Sequence, residues 1–340
     1  MYIENNQLKN YLSVWLATMF WLIAIMIIVG GLTRLTDSGL SITTWELFSG
    51  FLPPLNSLEW ENYFNLYKEI PEYKVQNYSM SMNEFKVIFW WEWVHRFLGR
   101  LVGIAFLIPL IIFTIKVKFN KLKSLYFIFF LICFQGFLGW YMVSSGLIDR
   151  IDVSHYRLSL HLLMAFIILS LIYWNYLNLK KIKMNNEINI FLVIFFVSLI
   201  FLQIIIGAFV SGMDAGQIYN SWPLMGNNYF PNDNDISNLF KLNAFNDPSL
   251  VQFIHRNLAY LICLVYLIIF SKVYLNNLNI LKSPINVIGV FLILQIVLGI
   301  LTILNGAQIY IASMHQITSI FLVSSCIYLL FINRKTSLQP

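Results

Sequence analysis

Eight long apolar runs dominate this sequence, and each is long enough to cross the hydrocarbon core of a bilayer as a helix of about 20 residues. They lie near residues 11–31, 89–115, 124–144, 158–178, 189–211, 251–271, 284–304 and 311–332. Only 11% of the residues are charged, against about 25% in soluble domains, so a globular domain with a single anchor is excluded. The sequence therefore predicts an all-α polytopic membrane protein with eight transmembrane helices. The first run is too long for a signal peptide and lacks a good cleavage site, so we expect a retained helix.

Basic residues are distributed unevenly among the segments between these runs, and this predicts the orientation of the chain. One set of segments holds twelve basic residues against two acids, Glu4 and Glu187. The twelve are Lys9, Lys116, Lys118, Lys121, Lys123, Lys180, Lys181, Lys183, Lys272, Lys282, Arg334 and Lys335. By the positive-inside rule we expect both termini in the cytoplasm and the long loops near 32–88 and 212–250 outside. The net charge of +6 follows from this sidedness, so no nucleic-acid partner is predicted.

The cysteines limit the possible redox chemistry. Cys133, Cys263 and Cys326 all lie inside predicted spans. A structural disulfide in an outer loop is therefore excluded, and we interpret the three side chains as small apolar packing groups.

The chain contains an internal repeat. GGLTRLTDSGLSITTW (30–45) aligns with GAFVSGMDAGQIYNSW (207–222), with two glycines, an aspartate and a tryptophan in register. FQGFLGW (134–140) matches LQIVLGI (294–300) through a Gln-x-x-x-Gly pair. Parallel repeats are a known membrane architecture, so the sequence predicts two pseudo-symmetric four-helix bundles, residues 1–183 and 184–340.

Four of the five histidines begin the membrane portions of the even-numbered spans. Each lies about 26–31 Å from the basic residue at the inner end of its helix, which places all four just under the outer interface. Repeat symmetry pairs His95 with His161 and His255 with His315. His155 lies in a short outer loop without a repeat counterpart, and we interpret it as an ordinary loop residue.

Two symmetric histidine pairs at one depth indicate a bound group rather than only hydrogen bonds between helices. Zinc usually recruits further ligands, whereas two imidazoles that face each other across a helix bundle suit haem iron. Arg96 and Arg256 each follow a histidine, and Arg34 and Arg157 lie near other helix mouths. These arginines are candidates for binding porphyrin propionates, and snorkelling to lipid phosphates is the alternative.

One position distinguishes the two repeats. Ser81-x-x-Glu84 forms a capping box, so the second membrane helix is predicted to start well above the bilayer. Glu92 then shares a helix face with His95, about one turn away, and Gln252 takes its place in the second repeat. This difference suggests a reactive site in the first repeat and an electron-transfer or structural site in the second. A glutamate on an exposed helix surface is the alternative.

The sequence resembles the haem A synthases over nearly its whole length. The resemblance is carried by GGLTRLTDSGLSITTW, EWVHRFLGRLVG, YRLSLHLLMA, FIHRNLAY and SMHQ. LYKEIPEY in the first outer loop is similar to the subgroup found in alphaproteobacteria and mitochondria. Other members carry a cysteine pair in outer loops, and this chain has none there, so a thiol relay through such a pair is excluded.

The resemblance implies an enzyme that oxidises one methyl substituent of haem O to a formyl group, by successive hydroxylations, to give haem A. It implies that His255 and His315 ligate a resident haem b. It also implies that His95 and His161 hold the substrate haem iron, with Glu92 beside the reacting edge. The expected location is the inner membrane, with the haem sites near the periplasmic face. Haem O synthase (protohaem farnesyltransferase) is the expected partner, and no motif identifies the electron acceptor.

Two other functions remain open at this level. A di-haem quinol oxidoreductase would carry electrons across the membrane, but it needs ligands at two depths, and these histidines share one. A haem-handling chaperone or exporter would need no chemistry, and the Glu92/Gln252 difference argues against it.

Overall fold

The computed structural model describes residues 5–46, 49–182, 184 and 187–334. Within these ranges the chain forms ten α-helices and no β-strand. The helices are α1 (Asn6–Leu35), α2 (Ser57–Lys68), α3 (Pro71–Val75), α4 (Met82–Lys116), α5 (Phe119–Val143), α6 (His155–Asn178), α7 (Ile190–Gly212), α8 (Pro248–Leu275), α9 (Asn279–Leu304) and α10 (Ile309–Ile332). Among these, α1 and α4 to α10 are the eight long and apolar enough to cross a membrane. The predicted all-α polytopic membrane protein is confirmed. Glu4, Lys183 and Lys335 of the charge count lie outside the described residues.

The start of α4 determines where its functional residues lie. The Ser81 side chain accepts from the backbone N–H of Glu84, and Glu84 Oε2 accepts from the backbone N–H of Ser81 at 2.8 Å. The predicted capping box is therefore confirmed. It starts the helix at Met82, well before the apolar run at 89, and α4 reaches 35 residues. Glu92 and His95 consequently lie inside regular helix rather than at its frayed first turn.

The segment between α1 and α4, called the first outer segment after the orientation predicted for it, is held by an aromatic cluster. Phe64 and Tyr67 from α2 pack on Phe85 and Phe89 from α4, and all four side chains are buried. The rings of Phe64 and Phe85 stack with their centroids 4.9 Å apart. Each buried aromatic side chain contributes about 1.5–3 kcal/mol of apolar burial, so α2 is fixed on the N-terminal part of α4.

The segment between α7 and α8, called the second outer segment after the same prediction, is built differently. Its described regular structure consists of short 3-10 turns, Ala215–Gln217, Ile236–Phe240 and Leu242–Asn246. Polar contacts hold it: Asp233 accepts hydrogen bonds from Ser249 Oγ at 2.6 Å and from Tyr219 Oη at 3.0 Å. Asp247 then caps α8 by accepting from the backbone N–H of Leu250 at 2.9 Å.

The chain divides into two compact units. The first unit comprises residues 18–168, and the second comprises 169–340 together with 1–17. The first unit contains His95 and His161, which we call the first histidine pair. The second contains His255 and His315, the second histidine pair. The division into pseudo-symmetric bundles at residues 1–183 and 184–340 stays a prediction.

Candidate functional site

The first histidine pair is brought together by α4 and α6. The ring centroids of His95 and His161 lie 6.5 Å apart, with an interplanar angle of 67°. A histidine–metal bond is about 2.0–2.1 Å long, so this separation leaves room for one metal atom between the rings. Both side chains are partly buried and lie within regular helix.

The second histidine pair lies on α8 and α10. His255 and His315 are close enough to interact electrostatically. His155 belongs to neither pair. Its interpretation as an ordinary loop residue is wrong, because it is the first residue of α6, is 6% exposed, and packs on Tyr156 with ring centroids 4.3 Å apart.

The imidazole of each of the four paired histidines packs against a glycine of the preceding membrane helix. We call each of these glycine–histidine contacts a seat. A methyl group at Gly30 would come within 2.8 Å of His95 Cε1, closer than real side chains pack. The corresponding distances at the other seats are 3.1 Å for Gly139 and His161, 3.2 Å for Gly207 and His255, and 3.2 Å for Gly299 and His315. Glycine therefore lets each imidazole approach the neighbouring helix backbone. The sequence pattern identified these glycines only as repeat markers.

Three of these seats carry a glutamine one turn before the glycine. The side-chain amide of Gln135 donates to the backbone carbonyl of His161 at 3.0 Å. Gln203 donates to the carbonyl of His255 at 3.0 Å, and Gln295 donates to that of His315 at 2.8 Å. The amide nitrogens of Gln135 and Gln203 also lie 3.3 Å from Nε2 of the same histidines. These bonds join each histidine segment to its neighbouring helix.

The two pairs fit the axial ligation of haem. Nδ1 of each paired histidine is buried and has no hydrogen-bond partner within the described residues. An unpaired buried polar atom costs about 1–3 kcal/mol, so a ring with such a nitrogen is suited to bind a ligand. The described part of the chain holds no cluster of three or more His, Cys, Asp or Glu side chains that could bind a bare metal ion. Two imidazoles in a glycine-lined seat are thus consistent with a porphyrin iron.

Glu92 is enclosed by hydrogen-bond donors. Its side chain is 3% exposed, so the alternative of an exposed surface glutamate is wrong. Oε2 accepts from Ser41 Oγ at 2.7 Å and from the backbone N–H of Ile42 at 2.8 Å. Oε1 accepts from Arg96 Nε at 3.0 Å and from Arg96 Nη2 at 2.6 Å. A carboxylate anion can accept all four bonds, and together they join α4 to the segment that follows α1.

Arg96 and Arg256 make matching contacts in the two units. Arg96 Nη2 donates to the carbonyl of Ile42 at 2.6 Å, and Nη1 donates to that of Thr44 at 2.9 Å. Arg256 Nη2 donates to the carbonyl of Tyr219 at 3.1 Å, and Nη1 donates to that of Ser221 at 2.9 Å. The four acceptors are equivalent repeat positions, related by the offset between Gly30 and Gly207. Each guanidinium therefore holds the outer segment after the preceding helix, and its contact with a propionate stays a prediction.

The other two candidate arginines make local contacts. Arg34 Nη1 pairs with Asp37 Oδ1 at 2.6 Å. Arg157 Nη1 donates to the carbonyl of Tyr141 at 2.6 Å, and its guanidinium lies 3.8 Å from the centre of that ring. The predicted role of both in propionate binding is likewise untested by these contacts.

A buried acid in the first outer segment was not singled out as a functional residue from the sequence. Glu72 on α3 is 3% exposed and accepts a hydrogen bond from Tyr67 Oη at 3.0 Å. Burial raises the pKa of Glu72 to about 8, and the nearby charge of Glu92 adds to the shift. Burial also raises the pKa of Tyr63 to about 12, and its hydroxyl donates to Glu46 at 3.0 Å. Glu72 lies in LYKEIPEY, which the sequence alone identifies only as a subgroup marker.

Comparisons with known proteins agree with this arrangement. Residues 13–327 match the family described as cytochrome oxidase assembly protein. The heme A synthase of Pelagibacter ubique is 50% identical over 336 residues, which cover 98% of this chain and 99% of that protein. The heme A synthase of Rickettsia bellii is 41% identical over 94% of this chain and 98% of its own length. The heme A synthase of Flavobacterium psychrophilum is 41% identical over 95% of this chain and 98% of its own length. Because the family match spans nearly all of the chain, it belongs to the cytochrome oxidase assembly protein family.

Proposed function

We propose that this chain is a haem A synthase, which oxidises one methyl substituent of haem O to a formyl group. The observation that carries this proposal is the presence of two glycine-seated histidine pairs in a chain that is similar, over its whole length, to heme A synthases. The overall change is a four-electron oxidation of a methyl carbon. Haem iron supplies this kind of oxidative chemistry, while the protein supplies orientation and electrostatics.

The two pairs have different roles in this proposal. The first histidine pair, His95 and His161, holds the substrate haem iron. The second pair, His255 and His315, holds a resident haem b. Supporting this division, the carboxylate of Glu92 lies one turn from His95, whereas the equivalent position beside His255 carries the uncharged Gln252.

Glu92 contributes a proton-accepting atom beside the substrate. The methyl carbon is hydroxylated twice, and the resulting gem-diol loses water to leave the formyl group. Loss of water moves one proton from the hydroxyl that becomes the formyl oxygen to the hydroxyl that leaves. A carboxylate within hydrogen-bond reach can take up this proton and return it to the leaving hydroxyl. The outer segment held by Arg96 and Glu92 covers this part of α4 and limits the access of bulk water.

Ser41 is the donor through which a proton can reach Glu92. The guanidinium of Arg96 does not give up its protons, and the amide of Ile42 keeps its own. Among the described donors to Glu92, only the Ser41 hydroxyl, 2.7 Å from Oε2, can both donate and accept. We therefore assign proton movement at Glu92 to Oε2 and the structural ion pair to Oε1.

For the location of the protein, we propose the inner membrane, with both termini cytoplasmic and both histidine pairs near the periplasmic face. The excess of lysine and arginine in the inner segments supports this orientation. Haem O reaches the first pair from haem O synthase, which makes that enzyme the expected partner.

Sidedness is tested by cysteine substitution at exposed positions. Glu69 and Asp235 lie on the two outer segments, and Lys121 lies in an inner one. Glu72 is unsuitable because its side chain is buried. An impermeant thiol reagent added from the periplasmic side should label Glu69→Cys and Asp235→Cys but not Lys121→Cys. The reverse pattern would overturn the orientation.

Haem analysis tests the function itself. Cells that express this chain together with a source of haem O should accumulate haem A, and cells with the haem O source alone should not. A di-haem electron carrier or a haem chaperone would leave haem O unchanged, and that result would refute the proposal. A His95→Ala variant serves as the matched control, because it should be inactive while retaining the second pair.

A further inference from the structure

The four histidine seats differ in the residue that precedes the glycine by one turn. Three seats have glutamine there, and each glutamine donates to the backbone carbonyl of its histidine: Gln135, Gln203 and Gln295. The fourth position, before Gly30 on α1, is Met26. The exception serves His95, on the side where we propose that the substrate binds.

Met26 lies where the missing glutamine would lie. Its Cε is 3.7 Å from the position that a Cβ would take at Gly99, one turn along α4 from His95. Its side chain therefore packs beside the backbone that a glutamine would contact, but a thioether has no hydrogen to donate. Within the described residues, no side chain donates a hydrogen bond to His95. Thr33 Oγ1 of α1 donates to the carbonyl of Trp91, one turn before His95, at 3.4 Å. The carbonyl of His95 itself thus lacks the glutamine bond that the other three histidines have.

We propose that Met26 makes His95 the exchangeable ligand of the substrate haem, released when product leaves and re-formed when substrate binds. This inference rests on the proposed function, because only the substrate pair must exchange its haem in every turnover. Release breaks the bond between an imidazole nitrogen and iron, and the electron pair stays on the nitrogen. No oxidant or reductant is therefore needed. His161, held by Gln135, stays in place and keeps the site formed between turnovers.

The same reasoning explains why the second pair has two glutamines. A resident haem is not exchanged, so both of its ligands gain from a hydrogen bond between helices. Such bonds in membrane proteins typically change an equilibrium by about three- to twentyfold. A factor of this size is enough to separate a ligand that exchanges from one that stays.

Release of haem from the purified protein tests the inference. Met26→Gln adds the missing donor, and Met26→Leu is the reference because leucine, like methionine, has none. Each variant is loaded with haem O, and its transfer to excess apomyoglobin is followed by absorbance. Met26→Gln should release haem O about three- to twentyfold more slowly than Met26→Leu. In steady state it should lower both kcat and KM for haem O, a split that simple loss of folded protein does not give.

Matched variants control for polarity and for stability. Ile25→Gln places the same amide at an exposed position of the same helix turn and should leave haem O release unchanged. Gln203→Met should speed loss of the resident haem by a similar factor without changing haem O release. Gln135→Met removes the donor at His161 and should speed haem O release, which keeps the inference testable if Met26→Gln does not fold.

Equal release rates for Met26→Gln and Met26→Leu would overturn the inference, as would a Gln135→Met variant that releases haem O at the wild-type rate. Failure of the proposed function has a different signature. In that case the wild-type chain would make no haem A, while the release rates of the variants would still differ in the order given.

Discussion

The two histidine-bearing units use one scaffold for two environments. In both, a glycine seats each imidazole, and an arginine one residue after the first histidine holds the preceding outer segment through two backbone carbonyls. The first unit has Glu92 and Met26 where the second has Gln252 and Gln203. The first outer segment is helical and rich in aromatic contacts, whereas the second is polar and consists of short turns. The shared features hold the histidines and the preceding segments in place, so we expect reactivity and haem exchange to arise from the differences.

The largest difference between the two units is expected when their histidines are removed. His255→Ala or His315→Ala should abolish or strongly perturb the b-type absorbance of the purified protein, because the proposed resident haem would lose an axial ligand. His95→Ala should keep most of that absorbance and abolish haem A formation. A b-type signal that survives both second-unit substitutions would reverse the roles assigned to the two pairs.

The next largest effect is expected at Glu92. Glu92→Gln keeps the size and can still accept from Ser41 and Ile42, but it removes the charge that pairs with Arg96. General acid–base groups contribute about 10²–10⁴-fold, so haem A formation should fall by a factor in this range while the resident haem is retained. Haem extraction should show a hydroxylated intermediate between haem O and haem A.

Ser41→Ala separates chemistry from loop positioning at Glu92, and Gln252→Glu is the control in the second unit. Ser41→Ala removes the hydroxyl that we propose carries the proton but leaves the ion pair. Haem A formation should therefore fall in this variant. Gln252→Glu should not create a second reactive site. If Glu92→Gln stays within a few-fold of wild type, the catalytic role of the carboxylate is refuted.

A pH-dependent effect distinguishes the two outer segments. Burial raises the pKa of Glu72 to about 8, so between about pH 4.5 and 8 the folded state binds more protons than the unfolded state. The free energy of unfolding should therefore fall as pH rises through this window and level off above pH 8. The upper bound for the total change is about 5 kcal/mol. Thermal unfolding in detergent from pH 5 to 9 should show this slope for wild type and a weaker one for Glu72→Gln.

The pKa of Asp233, in the second outer segment, is shifted in the opposite direction to that of Glu72. Desolvation alone would raise its pKa, but hydrogen bonds from Ser249 and Tyr219 outweigh it and hold the pKa below its usual range. Its contribution to stability is present above the unfolded pKa and is lost as pH falls through the folded one.

Exposed Glu69→Gln is the control for the Glu72 experiment. An unchanged slope in Glu72→Gln would show that another group is responsible.

A feature can be predicted from the sequence when the interacting residues lie close together in the chain, and not when they lie far apart. The eight spans and the Ser81 capping box were predicted because apolar length and capping are local properties. The burial of Glu92 was not, because its partners Ser41 and Ile42 are about 50 residues away in the chain. The Gln-x-x-x-Gly pattern was recognised in α5 and α9, but its meaning required the histidine carbonyls of other helices. Gln203 and the exception at Met26 were therefore missed.

The smallest effect is expected from the glycine seats, and it tests the shared scaffold itself. At Gly139 an alanine Cβ would lie 3.1 Å from His161 Cε1, so the ring must shift by a few tenths of an ångström. Gly136, on the same helix, has no atom within 4 Å of such a Cβ and is the matched control. Gly136→Ala should be neutral or stabilise α5 by about 0.5–1 kcal/mol. Gly139→Ala should weaken haem O binding severalfold, measured by titration of the purified protein. Gly299→Ala should do the same for the resident haem, since its Cβ would lie 3.2 Å from His315 Cε1. If Gly139→Ala and Gly136→Ala bind haem O equally well, the glycines do not position the ligands. The difference between the two units would then have to be sought in the outer segments alone.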